Sequence, residues 1–130
     1  MKRHNLIRRL SSPDPQVVVD ALEELGRERT VEPSESVYGA AMRHLGSSDA
    51  AVLEAAVFAL ATHWGYRDAF PRLLAAADTA AGRAVIGTLV VGVGRLAKEF
   101  PELELPAVQW LLKVVEGSIA SNEVRLEAYR

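Results

Sequence analysis

Cysteine is absent from the 130-residue sequence, which excludes disulfide bonds, thiolate metal ligands and a cysteine nucleophile together. Aromatic residues are scarce, at 6%. The apolar half of the composition is therefore carried by Ala, Leu and Val, small aliphatics that suit closely packed helices. No excess of charge of either sign is present: 15 basic residues meet 17 acidic ones for a net charge of −2, which disfavours nucleic acid as a partner. Long apolar runs are missing as well. The longest, Leu89-Val90-Val91-Gly92-Val93-Gly94, is far short of the ~20 residues a membrane span needs. The N-terminus begins basic, but Arg8 and Arg9 cut off any signal-type apolar segment before it reaches length. The expectation is a soluble, cytoplasmic protein without a membrane role. A chain of this length forms one domain and buries roughly two-thirds of its unfolded surface.

What is present is helical periodicity. Apolar residues recur at spacings of three and four, and predict helices over 2–10, 15–29, 34–45, 49–64, 67–77, 80–99, 104–116 and 121–130. The breaks carry turn chemistry: Ser11-Ser12-Pro13-Asp14, Gly46-Ser47-Ser48-Asp49 and Gly117-Ser118 through Ser121-Asn122. Asp14 and Asp49 stand where an N-cap carboxylate accepts the free amides of a first turn. Pro15, Pro33, Pro71 and Pro106 fall at helix starts, where a missing N–H costs nothing.

The helices repeat. Asp14, Val17, Ala21 and Leu25 superpose on Asp49, Val52, Ala56 and Leu60, and then on Gly82, Val85, Leu89 and Val93; a last copy begins at Ser121 with Val124 and Ala128. The nine Val, Ala and Leu residues of the first three copies are the expected core. Units lie near 1–32, 33–66, 67–100 and 101–130, the last incomplete. Each unit is a helix pair that cannot bury its apolar face alone, so stacking is required. Segment charges alternate in sign along the chain, a weak aid to register between stacked units.

Asp14-Pro15-Gln16-Val17 with Ala21-Leu22, Asp49-Ala50-Ala51-Val52 with Ala55-Ala56, and Asn122-Glu123-Val124-Arg125 with Ala128 resemble the HEAT-like family of helical repeats over nearly the whole chain. The resemblance implies an all-α, right-handed α-solenoid of about four antiparallel helix pairs, and a scaffold or adaptor role. The polar residue that the family places after the Val is here Val18, Leu53 and Ile86, and only at the end Arg125.

Catalytic constellations are not found. Some HEAT-like proteins hold metals with His-Glu pairs, but His4, His44 and His63 precede Asn, Leu and Trp. A histidine at a helix end reaching solvent or capping a carbonyl is the plainer assignment. Asp20, Glu23 and Glu24 read as a solvated face. Arg67, Arg72, Arg83, Arg95 and Lys98 form a basic strip diluted by Asp68 and Asp78. The expectation is a protein without catalytic activity, cofactor or metal. A lyase-type HEAT-like enzyme or assembly factor acting on a cofactor-bearing partner is the alternative, and nucleic-acid binding ranks below it.

Second helices of such repeats line one face. Counting from the caps, the stripe turned away from the core carries Glu23, Arg27, Glu54, Phe58, Thr62, Val91 and Arg95. Phe58 and Val91 then sit at solvent positions rimmed by charge, the mark of an interaction patch; the alternative is that the helix of the third unit, apolar nearly all round, is enclosed by its neighbours. The expected partner is another protein. The incomplete last unit adds a further expectation: a short helix over 121–130 that either frays or is completed by a second copy of the chain.

Overall fold

The computed structural model describes residues 2–27 and 35–128, with side chains described over 5–27 and 36–117. The described residues are helical, with no strand among them. Helix α1 spans Lys2–Leu10, α2 Pro15–Arg27, α3 Glu35–Met42, α4 Ala50–Val57, α5 Phe70–Ala76, α6 Ala80–Ala84, α7 Ile86–Glu99 and α8 Glu104–Ala128. Short 3₁₀ turns cover Arg43–Gly46, Arg67–Ala69 and Pro101–Leu103. Pro33 lies outside the described residues.

The helices form two rows. In one, α1 contacts α3, and the 3₁₀ turn after α3 contacts α5; in the other, α2 contacts α4 and α4 contacts α7. Rungs join the rows through α1 with α2, Arg43–Gly46 with α4, and α5 with α7, and α8 packs on α7. The core runs along the seam between the rows. Leu10, Leu22, Leu53, Leu60, Leu73, Leu89 and Leu96 are fully enclosed in it. Of the nine residues expected in the core, seven are buried, while Val17 and Val85 are half-buried. On α2 the inward stripe is Val18, Ala21, Leu22 and Leu25, whose spacing of three, one and three leaves Val17 at its edge.

The caps repeat in three dimensions. The amide of Gln16 donates to Asp14 Oδ1 at 3.0 Å, and the amides of Ala51 and Val52 donate to Asp49 Oδ1 at 2.9 and 3.3 Å. Each Asp amide in turn donates to the hydroxyl two residues earlier, Ser12 or Ser47, at 3.1 Å. A cap of this kind contributes about 1 kcal/mol. The third copy departs from the sequence expectation. Its cap is Thr79, whose Oγ1 accepts from the Gly82 amide at 2.9 Å; the helix starts at Ala80 as expected, but no carboxylate caps it. The expected 80–99 helix is broken at Val85, which adopts φ −118°, ψ 30°.

Two further departures concern helix α4 and the chain's last helix. The helix that begins with α4 widens into a π-helical turn over Phe58–His63, where the Trp64 amide reaches back five residues to Ala59 O. It ends at Gly65, whose φ of +62° is the left-handed conformation glycine adopts without penalty. The break expected between 116 and 121 is not formed: α8 runs through it as one 25-residue helix. A single long helix therefore stands where a fourth antiparallel pair was expected.

Side chains close the helix ends between units. His44 Nε2 donates to Leu10 O at 2.6 Å, and Trp64 Nε1 donates to Leu25 O at 2.6 Å. Both acceptors are carbonyls in the last turns of α1 and α2. Tyr38 and Tyr66 stack with ring centroids 4.0 Å apart, tying α3 to the segment after the π turn.

Candidate binding groove

The helix formed by α4 and its π turn is central and buried nearly all round, through Val52, Leu53, Ala55, Ala56, Val57, Ala59, Leu60 and Ala61. A narrow edge stays open. Ala51 and Phe58 are exposed and Glu54 is half-buried, and their spacing of three and four puts them on one line. This edge faces α2 across a groove of about 410 Å³. Leu22, Gly26, Ala55 and Ala59 form the apolar floor, while Val19, Glu23 and Arg27 of α2 stand opposite Glu54, Phe58 and His63.

Small residues make the floor. A Cβ on Gly26 would lie 3.1 Å from His63 Cδ2 and 3.5 Å from Ala59 Cα, so glycine there lets the imidazole lie against α2. His63 also faces the Phe58 ring, with centroids 6.2 Å apart and planes tilted by 37°. Phe58 is 40% exposed. Thr88 Oγ1 of α7 donates to Glu54 Oε2 at 3.1 Å. That bond fixes the Glu54 carboxylate at the junction of α4 and α7.

Of the residues expected on the binding face, Glu23, Arg27, Glu54 and Phe58 meet in this groove. Thr62, Val91 and Arg95 lie outside its lining. Thr62 Oγ1 is buried without a hydrogen-bond partner. Val91 is 56% exposed on α7. Arg95 pairs with Glu99, and both side chains lie over Gly65, where a Cβ would meet Glu99 Oε2 at 2.6 Å and an Arg95 guanidinium nitrogen at 3.4 Å. His63 is the groove residue that sequence reasoning missed. Trp64 and Tyr66, its neighbours, join helices, while His63 lines the groove. His63 lies in the π turn, which no residue in the sequence announces.

Several of the remaining charged residues have partners. Arg9 of α1 bridges to Glu24 of α2. Arg67 pairs with Glu102 at 2.9 Å, and Arg83 donates to Asp78 O at 3.1 Å. The basic strip is thus dispersed among carboxylates and carbonyls. The Arg67 guanidinium, hydrogen-bonded to Glu102, holds that carboxyl below its ordinary range. Among the described residues no three His, Asp or Glu side chains converge as metal ligands. No described helix is long and apolar enough to cross a membrane.

No family model, curated protein or solved structure matches this chain.

Proposed function

We propose that the protein is a non-catalytic interaction module, a HEAT-like right-handed solenoid that holds a segment of a partner protein in the groove between α2 and α4. One observation carries the reading: the half-open Phe58 ring stands over an apolar floor with Glu23, Glu54 and Arg27 at the rim. An apolar centre with a polar rim is the anatomy of a protein-binding site. The chemistry favours a partner segment that inserts an apolar side chain beside Phe58 and sets basic groups against the two carboxylates. Val91 and Arg95 of α7 extend the same row of second helices and would contact a longer partner. A cytoplasmic scaffold or adaptor role accords with this reading.

The test is a peptide-display selection on the wild-type protein, with Phe58→Asp as counter-screen. Enriched clones should combine an apolar anchor with flanking Lys or Arg and lose at least ~30-fold in affinity for the variant, as for a central contact. Circular dichroism should show the variant folded. Clones that bind both proteins equally, or a Phe58→Asp chain that unfolds, would defeat the reading.

A further inference from the structure

Glu54 is the only charged residue of α4. It is half-buried, and its Oε2 accepts from Thr88 Oγ1 of α7. Among the described residues no cation pairs with it. A carboxylate offers about four acceptor sites on its two oxygens, so a single hydroxyl leaves most of them open. The Phe58 amide donates to Glu54 O, so one helical turn separates the two residues and their side chains share an edge. The groove therefore sets an anchored carboxylate beside an exposed aromatic ring. Arg27, the one Lys or Arg among the described lining residues, stands a turn from Glu23 on α2. Glu23 thus has a counter-charge on its own helix, and Glu54 has none on α4.

We infer that Glu54 makes this groove selective for an arginine side chain of the partner segment, and that Thr88 positions the carboxylate that reads it. The inference rests on the reading of the groove as a protein-binding site and narrows its ligand. A guanidinium is planar and weakly hydrated, so it lies on an aromatic ring while its edge donates to a carboxylate. The ammonium of lysine is a compact, strongly hydrated charge that gives up more water and gains less from the ring. Selection also acts against the wrong segment. One that covers Glu54 without bringing a cation removes water from a charge and returns no hydrogen bond, and an acidic segment adds repulsion. Thr88 enters through order: a carboxylate already held by a hydroxyl loses less side-chain freedom when the ligand arrives. Because Thr88 belongs to α7, the groove between the first two units takes part of its selectivity from the third.

The test uses one library of random peptides, selected separately on the wild-type chain and on Glu54→Gln. Wild-type clones should converge on Arg at one position beside their apolar anchor, and Glu54→Gln clones should keep the anchor and lose the Arg. A synthetic wild-type clone labelled with fluorescein is then titrated by anisotropy. Replacing its Arg by Lys should weaken binding about 10-fold, and replacing it by citrulline, which keeps the shape without the charge, at least ~30-fold. These substitutions leave the protein unaltered, so they read the site even if a variant misfolds. Against Glu54→Gln the Arg, Lys and citrulline peptides should differ by less than about 3-fold. Thr88→Val, which removes the hydroxyl and keeps the branching, should weaken the Arg peptide about 3- to 10-fold and narrow its advantage over Lys. Thr88→Ser should restore both, whereas a merely structural Thr88 would weaken every peptide alike. Clones that need Phe58 yet accept Lys or citrulline as readily as Arg overturn the inference and leave the groove reading standing. An Arg preference unchanged in Glu54→Gln also overturns it, and clones indifferent to Phe58→Asp defeat both readings.

Discussion

Replacing glycine by alanine at two positions twelve residues apart should move stability in opposite directions. At Gly94, on the exposed side of α7, an added Cβ meets nothing within 4 Å. Alanine there gains helix propensity and narrows the unfolded ensemble, together about 0.5–1 kcal/mol. At Gly82 the added Cβ would stand 1.7 Å from Ala76 O and 2.5 Å from Ala76 C. Both are backbone atoms at the end of α5, so no rotamer change relieves the contact and α6 must retreat by more than 1 Å, at an overpacking cost of about 1–3 kcal/mol. Retreat also draws the Gly82 amide from Thr79 Oγ1, a cap worth about 1 kcal/mol. After the propensity gain is offset, the net loss is about 2 kcal/mol or more. Unfolding entropy near 2.1 cal/mol/K per residue makes 1 kcal/mol about 4 °C for this chain. Gly94→Ala should therefore raise Tm by about 2–4 °C, and Gly82→Ala should lower it by about 8 °C or more. Thermal melts followed at 222 nm, with urea titrations for confirmation, measure both. A neutral Gly82→Ala would mean that α5 and α6 do not approach as described and would refute the reasoning.

Leu60→Ala removes a fully enclosed side chain from the π turn and should cost about 3–5 kcal/mol; a loss under 1 kcal/mol in urea titration would place Leu60 outside the core. The Arg67–Glu102 pair supplies an acid-sensitive increment. The folded pKa of Glu102 lies below its ordinary 4.5, so the increment is present above that pH and is lost as pH falls through the lower folded value. Glu102→Gln should flatten the decline in Tm below pH 4.5, with a smaller difference between the proteins in high salt because the pair is exposed. An unchanged acid profile would remove the pair from the account.

The sequence showed the repeat most clearly where chemistry and geometry coincide. Asp14 and Asp49 cap helices as their spacing predicted, because a carboxylate followed by an apolar register has few alternative local uses. The third helix starts at Ala80 as its periodicity predicted, capped by the Thr79 hydroxyl rather than by a residue in the Asp register, where Gly82 stands. Gly82 is instead demanded by the approach of α5, a tertiary constraint with no local signature. The Gly117-Ser118 pair resembled a turn, yet a glycine inside a helix costs only about 1 kcal/mol, and the three-and-four spacing passes through it unbroken. In the groove, Glu23, Arg27, Glu54 and Phe58 were legible because they follow helical periodicity counted from the caps. Thr62 lies in the π turn, and Arg95 pairs with Glu99.

The bonds from His44 to Leu10 and from Trp64 to Leu25 make the first helix pair dependent on the second. Each helix of the first pair ends on a carbonyl whose donor lies 34 or 39 residues further along the chain. Without that later segment, those carbonyls return to water and the apolar side of α2 loses the central helix. Isolated helices as short as α1 and α2 are marginal in water. Order should therefore spread outward from the central helix, with α1 and α2 acquiring protection from hydrogen exchange only as the second pair closes over them. Binding in the groove between α2 and α4 would clamp the same junction, so a ligand there would protect amides of the first pair that it never touches.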